Sequence, residues 1–208
     1  MEIKISNQLR LQFMECVKIT NITERQLAIG SIITEAFTKN GLLEPIIVGG
    51  TVVSLYSTGQ YSTVDLDMKS EAVEEYHQIM TEFGYKKFGK DFYHKDLDSY
   101  VEFPSGRLED SWDHIREVIV DSTGLPIYVI GFEDIVLDRL SHFASNGDRN
   151  SREWAMRLMG GLYDGIDWSY LHSKAKQLGI LEIVEKAQRD VKRYKQLYRS
   201  GKMNEFGG

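Results

Sequence analysis

The stretch Ile46-Ile47-Val48-Gly49-Gly50-Thr51, followed after a short spacer by Thr63-Val64-Asp65-Leu66-Asp67, decides how the rest of the chain is read. The apolar triplet after Pro45 has the length and β-branching of a brief buried strand. Two glycines then remove side chains where the chain turns sharply, and they let backbone amides approach a ligand. Thr51 to Tyr56 continues as a helix-like segment, and Gly59 leads to a second strand from Ser62 to Met68. Residues two apart on a strand share a face, so Asp65 and Asp67 project together. Carboxylates so close repel unless a cation lies between them, and hard oxygen ligands suit Mg²⁺. Gly-Gly alone is commonly a turn, and Asp-x-Asp alone a solvated strand face. In combination, with a helix-sized spacer, they point to chemistry on phosphates.

Composition bounds the rest. A chain of 208 residues, 42% hydrophobic and 27% charged, is long enough to bury a core and has the balance of a globular domain. A formal charge of -6 argues against broad adhesion to nucleic acid, which relies on neutralising phosphates with Lys and Arg. Basic residues are nevertheless uneven, with Arg139, Arg149, Arg152 and Arg157 close in sequence and a further cluster from Lys186 to Arg199. Interspersed charges of that second kind are commonly a solvated helix face. The single cysteine, Cys16, has no internal disulfide partner and lies in a helical pattern, which predicts a buried thiol rather than a nucleophile. No apolar run reaches the ~20 residues of a membrane span, and Met1-Glu2-Ile3-Lys4 does not open a secretory signal. The expected compartment is the cytoplasm, with no membrane partner.

Taken in order, residues 7 to 19 predict a short helix, and Thr23 with Gln26 reads as a capping box opening a second one that stops near Asn40-Gly41. Beyond Asp67, Glu71 to Phe83 is amphipathic and closed by Gly84. The period then changes from helical to two-fold: Tyr85 to Phe88, Asp91 to His94 and Ser99 to Phe103 read as strands, ended by Pro104-Ser105-Gly106. Two more strands, Glu117 to Asp121 and Ile127 to Ile130, precede a helix from Phe132 to Phe143. Ser151 or Asn150 caps a helix over Arg152 to Met159, Asp167 caps another, and Leu181 to Arg199 forms the last. The expected architecture is α/β (α+β), a mixed sheet flanked by helices with a C-terminal helical extension. Its divisions are residues 1–145, a helical part over 146–200, and a flexible tail over 201–208.

One more acid stands out. Glu102 lies among strand formers in Tyr100-Val101-Glu102-Phe103, and Asp98 shares its parity on a regular strand. The five histidines show no ligand spacing, and no cysteine pair offers a zinc site, which disfavours a metal hydrolase.

The Gly49-Gly50 turn and Asp65-x-Asp67 strand resemble the signature of the DNA polymerase beta-like nucleotidyltransferase superfamily. The sequence resembles its minimal bacterial branch, which includes nucleotidyltransferases of toxin–antitoxin and abortive-infection systems. The match is specific over residues 45 to 68 and weaker to about residue 180. The resemblance implies transfer of a nucleoside monophosphate from a nucleoside triphosphate to a hydroxyl on tRNA or a protein. It implies Asp65, Asp67 and Glu102 as catalytic and metal-binding residues for one or two Mg²⁺ ions, with Asp98 the alternative third acid. It further implies that Gly49, Gly50 and Thr51 cradle phosphate at a helix N-terminus, and that Arg139 and Arg149 contact the nucleotide. A cognate toxin or antitoxin partner is implied as well. Tyr61 departs from the pattern, standing where many relatives have an arginine. The rival reading from a different class is a non-catalytic protein that keeps the fold and docks a partner.

Overall fold

The computed structural model describes residues 3–104 and 114–199. The expected break at Ser105-Gly106 and the tail over 201–208 lie outside those residues. The chain forms two compact units, Met1–Gly131 and Phe132–Gly208.

The first unit is built on a mixed sheet. Its helices are α1 (Asn7–Glu15), α2 (Ile22–Lys39), α3 (Gly49–Tyr56) and α4 (Val73–Glu82). Its strands are β1 (Ile46–Val48), β2 (Asp65–Lys69), β3 (Lys86–Phe88), β4 (Asp91–His94), β5 (Ser99–Glu102), β6 (Arg116–Val120) and β7 (Leu125–Val129). Among the described residues these seven strands lie in the order β3-β4-β5-β2-β1-β7-β6. β1 runs parallel to β7 and β2 parallel to β5, while the β1–β2, β3–β4, β4–β5 and β6–β7 pairs are antiparallel. The fold class expected from the sequence is therefore the one observed.

The two-fold period of the strands divides the sheet into a greasy face and a polar one. Leu66, Met68, Phe92 and Val101 are buried, whereas Asp65, Asp67, Asp91 and Glu102 alternate with them on the opposite side. α2 covers the greasy face with Ala28, Ile29, Ile32, Ile33, Ala36 and Phe37, all buried. Its Gly30 approaches Ile47, Leu66 and Ile127 so closely that a methyl group there would meet the Ile47 side chain. Each large aliphatic side chain so buried contributes about 1.5–3 kcal/mol, so this contact dominates the unit.

The capping reading of α2 needs correction. Its N-cap is Asn21, whose side chain accepts from the Glu24 amide at 2.9 Å. Gln26 is instead buried and donates to the Thr63 carbonyl at 3.0 Å. Asparagine caps as well as threonine and stands earlier in the chain, so the helix starts there.

The second unit is helical: α5 (Phe132–Asn146), α6 (Arg149–Leu162), α7 (Trp168–Gln177) and α8 (Leu181–Arg199). Ala155, Leu158, Met159, Leu171, Ala175, Val184 and Ala187 form its core. Glu133 accepts from the Asp167 amide at 2.9 Å, and Tyr170 donates its hydroxyl to Asp134 at 2.6 Å, tying the start of α5 to the start of α7. Asp167 caps α7 as expected. α6 is capped by Asp148, which accepts from the Asn150 amide and the Ser151 hydroxyl, rather than by either of those residues. No helix of the described residues is long and apolar enough to cross a membrane.

Candidate functional site

The site begins where β1 ends. Gly49 has φ +66, the left-handed region that favours glycine, and it starts α3 directly from the strand. A Cβ at Gly49 would fall 2.1 Å from Asp67 Oδ2, and one at Gly50 would fall 2.9 Å from Thr63 Cβ. The two glycines thus make room for the Asp67 carboxylate and for Thr63, a reason for their presence that turn chemistry alone does not supply.

Sheet register then gathers the acids. Val48 lies opposite Asp67, Asp67 beside Glu102, and Glu102 opposite Asp91. Directly paired residues on neighbouring strands project to the same face, so Asp67, Glu102 and Asp91 form a row across β2, β5 and β4. Asp65 joins them on the same face, two residues before Asp67. The segment leading into β2 is fastened to α3: Thr51 Oγ1 donates to the Asp65 carbonyl at 3.2 Å and Ser54 Oγ to the Tyr61 carbonyl at 2.7 Å. Thr51 and Ser54 are both buried. The hydroxyl of Thr51 is therefore committed to holding β2.

Crowding of like charge has an electrostatic consequence. Partial burial pushes the Asp65 carboxyl above its ordinary value, and the neighbouring carboxylates of Asp91 and Glu102 push it further. Against them stands Lys90, whose Nζ donates to Glu102 Oε1 at 2.8 Å and Oε2 at 2.7 Å. That hydrogen bond and the charge of Glu102 raise the Lys90 ammonium above its usual value, with Asp91 and Asp67 adding to the effect.

Among the described residues no set of three His, Cys, Asp or Glu side chains is gathered as a ready-made metal cage. Mg²⁺ in nucleotide sites is held by one or two carboxylates together with substrate phosphates. The paired β2 carboxylates, all hard oxygen donors with an excess of negative charge around them, suit an ion that arrives with phosphate.

The remaining sequence candidates sit as follows. Asp98 is in a left-handed turn, φ +43, and accepts from the Tyr93 hydroxyl at 3.4 Å, so Glu102 is the acid beside Asp67. In the second unit, Arg139 donates from Nε to Asp138 Oδ2 at 2.9 Å, and its side chain is only 14% exposed. Arg149 is the first residue of α6 and lines a cavity of about 630 Å³ with Phe143, Arg152, Tyr194 and Lys195, all of that unit. Cys16 is buried, and burial pushes its thiol up to about 11. Two residues of the site, Lys90 and Asp91, carry no motif. The signal available for them was the glycine turn Phe88-Gly89-Lys90, which folds β4 back beside β3 and delivers both to the edge of the acid row.

No curated protein and no solved structure matches the chain. A family model described as a nucleotidyltransferase of unknown function (DUF6036) matches residues 25–202, a span that holds every glycine and acid of the site. With more than four-fifths of its length inside that match, the chain belongs to this nucleotidyltransferase family of unknown function.

Proposed function

We propose that the chain is a metal-dependent nucleotidyltransferase that moves a nucleoside monophosphate from a nucleoside triphosphate to a hydroxyl acceptor on tRNA or a protein. One observation carries the reading: Asp67 and Glu102 are register partners on β2 and β5, with Asp65 on the same face, and Gly49 is left bare so that the Asp67 carboxylate fits. Family membership supports it. Asp65 and Asp67 would hold Mg²⁺ that arrives with a triphosphate. When bound, that ion offsets the charge of the phosphates and of the developing transition state. Gly49, Gly50 and the Thr51 amide, at the positive end of α3, bind and orient phosphate oxygens.

The acceptor oxygen bonds to the α-phosphorus while the bond from that phosphorus to the bridging oxygen breaks, and pyrophosphate leaves with the electron pair. Glu102 completes the metal site or takes the acceptor proton on a carboxylate oxygen. Arg139 and Arg149 are assigned to the nucleotide by resemblance, as is a place as the toxin-like half of a cytoplasmic two-component system. A second reading, a non-catalytic protein of the same fold that docks a partner, is favoured by the contact of Glu102 with Lys90 and of Arg139 with Asp138.

The experiment is incubation of the chain with each labelled triphosphate, Mg²⁺ and total tRNA or lysate. The expected outcome is label transfer by the wild type that falls by roughly 100-fold or more when Asp65→Ala and Asp67→Ala are combined, the scale of losing a main electrostatic contribution. Transfer that survives the double substitution overturns the reading. Absence of transfer by the wild type with every triphosphate favours the docking protein.

A further inference from the structure

We propose that Lys90 is a tethered cation that holds Glu102 until a triphosphate arrives and then exchanges onto the phosphates, so that Glu102 joins the site only with substrate present. The inference rests on the nucleotide-metal reading of Asp65 and Asp67 and deepens it. Its basis is geometric. One ammonium contacts both oxygens of Glu102, at 2.8 and 2.7 Å, and so competes with a second cation for that carboxylate.

The two partners differ in freedom. The Glu102 side chain is 20% exposed and fixed on β5 between β2 and β4, whereas that of Lys90 is 74% exposed and follows the Gly89 turn, φ +63. The partner that moves is therefore the lysine. Its compact ammonium on a flexible stem can be re-aimed without the geometric matching an arginine fork demands. An exposed pair of this kind is held weakly. A polyphosphate, with more charge and more acceptor oxygens than one carboxylate, is the stronger partner.

The row of Asp67, Glu102 and Asp91 also explains why a cation belongs there before substrate comes. Like charges placed directly opposite on neighbouring strands destabilise a sheet, and Lys90 offsets them. The consequence is an order of events: a divalent ion alone meets a site whose third acid is already taken, while the ion delivered with a triphosphate brings the anion that draws Lys90 away.

The test is titration of Mn²⁺, read by the loss of the free-ion electron paramagnetic resonance signal. The samples are folded wild type, Lys90→Met, Lys90→Met with Glu102→Gln, and Asp65→Asn with Asp67→Asn. Without nucleotide, Lys90→Met is expected to bind Mn²⁺ about two- to fivefold more tightly than wild type, and adding Glu102→Gln should remove that gain. With a triphosphate carrying a methylene bridge between its α and β phosphorus atoms, the advantage of Lys90→Met should vanish or reverse. Mn²⁺ affinity in Lys90→Met equal to or below wild type overturns the proposal. If binding is lost in Asp65→Asn with Asp67→Asn while Lys90→Met changes nothing, only the Lys90 role fails. If that double variant binds like wild type, or no sample binds, the underlying metal reading fails as well.

Discussion

Asp65 shows how a single residue can be held against its own preference. Its folded pKa lies above the ordinary 3.8, through partial burial first and then Asp91 and Glu102. The native state therefore binds its proton more tightly than the unfolded chain does. The stability this contributes is complete below the ordinary value and is lost as pH rises through the raised one. At pH 7 the ionised carboxylate costs stability, but the residue is exposed and water screens the repulsion to a few tenths of a kcal/mol, so Asp65→Asn should raise the melting temperature by roughly 0.5–2 °C. The gap should close as pH falls below 3.8. Melting curves of the two proteins at pH 7 and pH 3.5 check this, and a lower melting temperature for the variant at pH 7 contradicts it. Asp65 and Asp67 were legible because their spacing alone puts them on one face. Asp91 and Lys90 were not: the Gly89 turn marks the bend from β3 to β4, but only the pairing of β4 with β5 brings them to Glu102.

At the scale of elements, β1, α3 and β2 act as a strand, a bend and a returning strand locked together. Thr51→Val keeps the shape and removes the donor to the Asp65 carbonyl. It should cost about 1 kcal/mol in urea denaturation, the net worth of one such bond. Gly49→Ala should cost about 1–3 kcal/mol through its left-handed backbone. It should also reduce nucleotidyl transfer more than Thr51→Val does, because the new methyl group displaces Asp67. Equal activity in the two variants would contradict that account. The elements themselves were legible: β1, β4 and β5 and the stops of α2 and α4 lie where periodicity and glycines put them. The N-caps of α2 and α6 were misplaced for one reason. Several capping residues stand close together in each, Asn21 and Thr23 or Asp148, Asn150 and Ser151, and in both helices the earliest of them caps.

Across the whole molecule, the lone cysteine reports on the first unit. Cys16 is 2% exposed with its thiol pushed up to about 11, so at pH 8 a disulfide reagent should label it only as fast as the first unit opens. Labelling measured across a urea series should follow the loss of sheet signal in circular dichroism, and rapid reaction of the native protein would contradict the buried placement. The parallel pairing of β1 with β7 has a further consequence, felt at the ribosome. Ile46 waits for Tyr128, about 80 residues later in the chain, which at a synthesis rate of about 5–20 residues per second is a delay of roughly 4 to 16 s. For that interval the apolar Ile46-Ile47-Val48 edge has no neighbour on one side. A nascent chain halted before Tyr128 would therefore leave that edge open and be a substrate for chaperones.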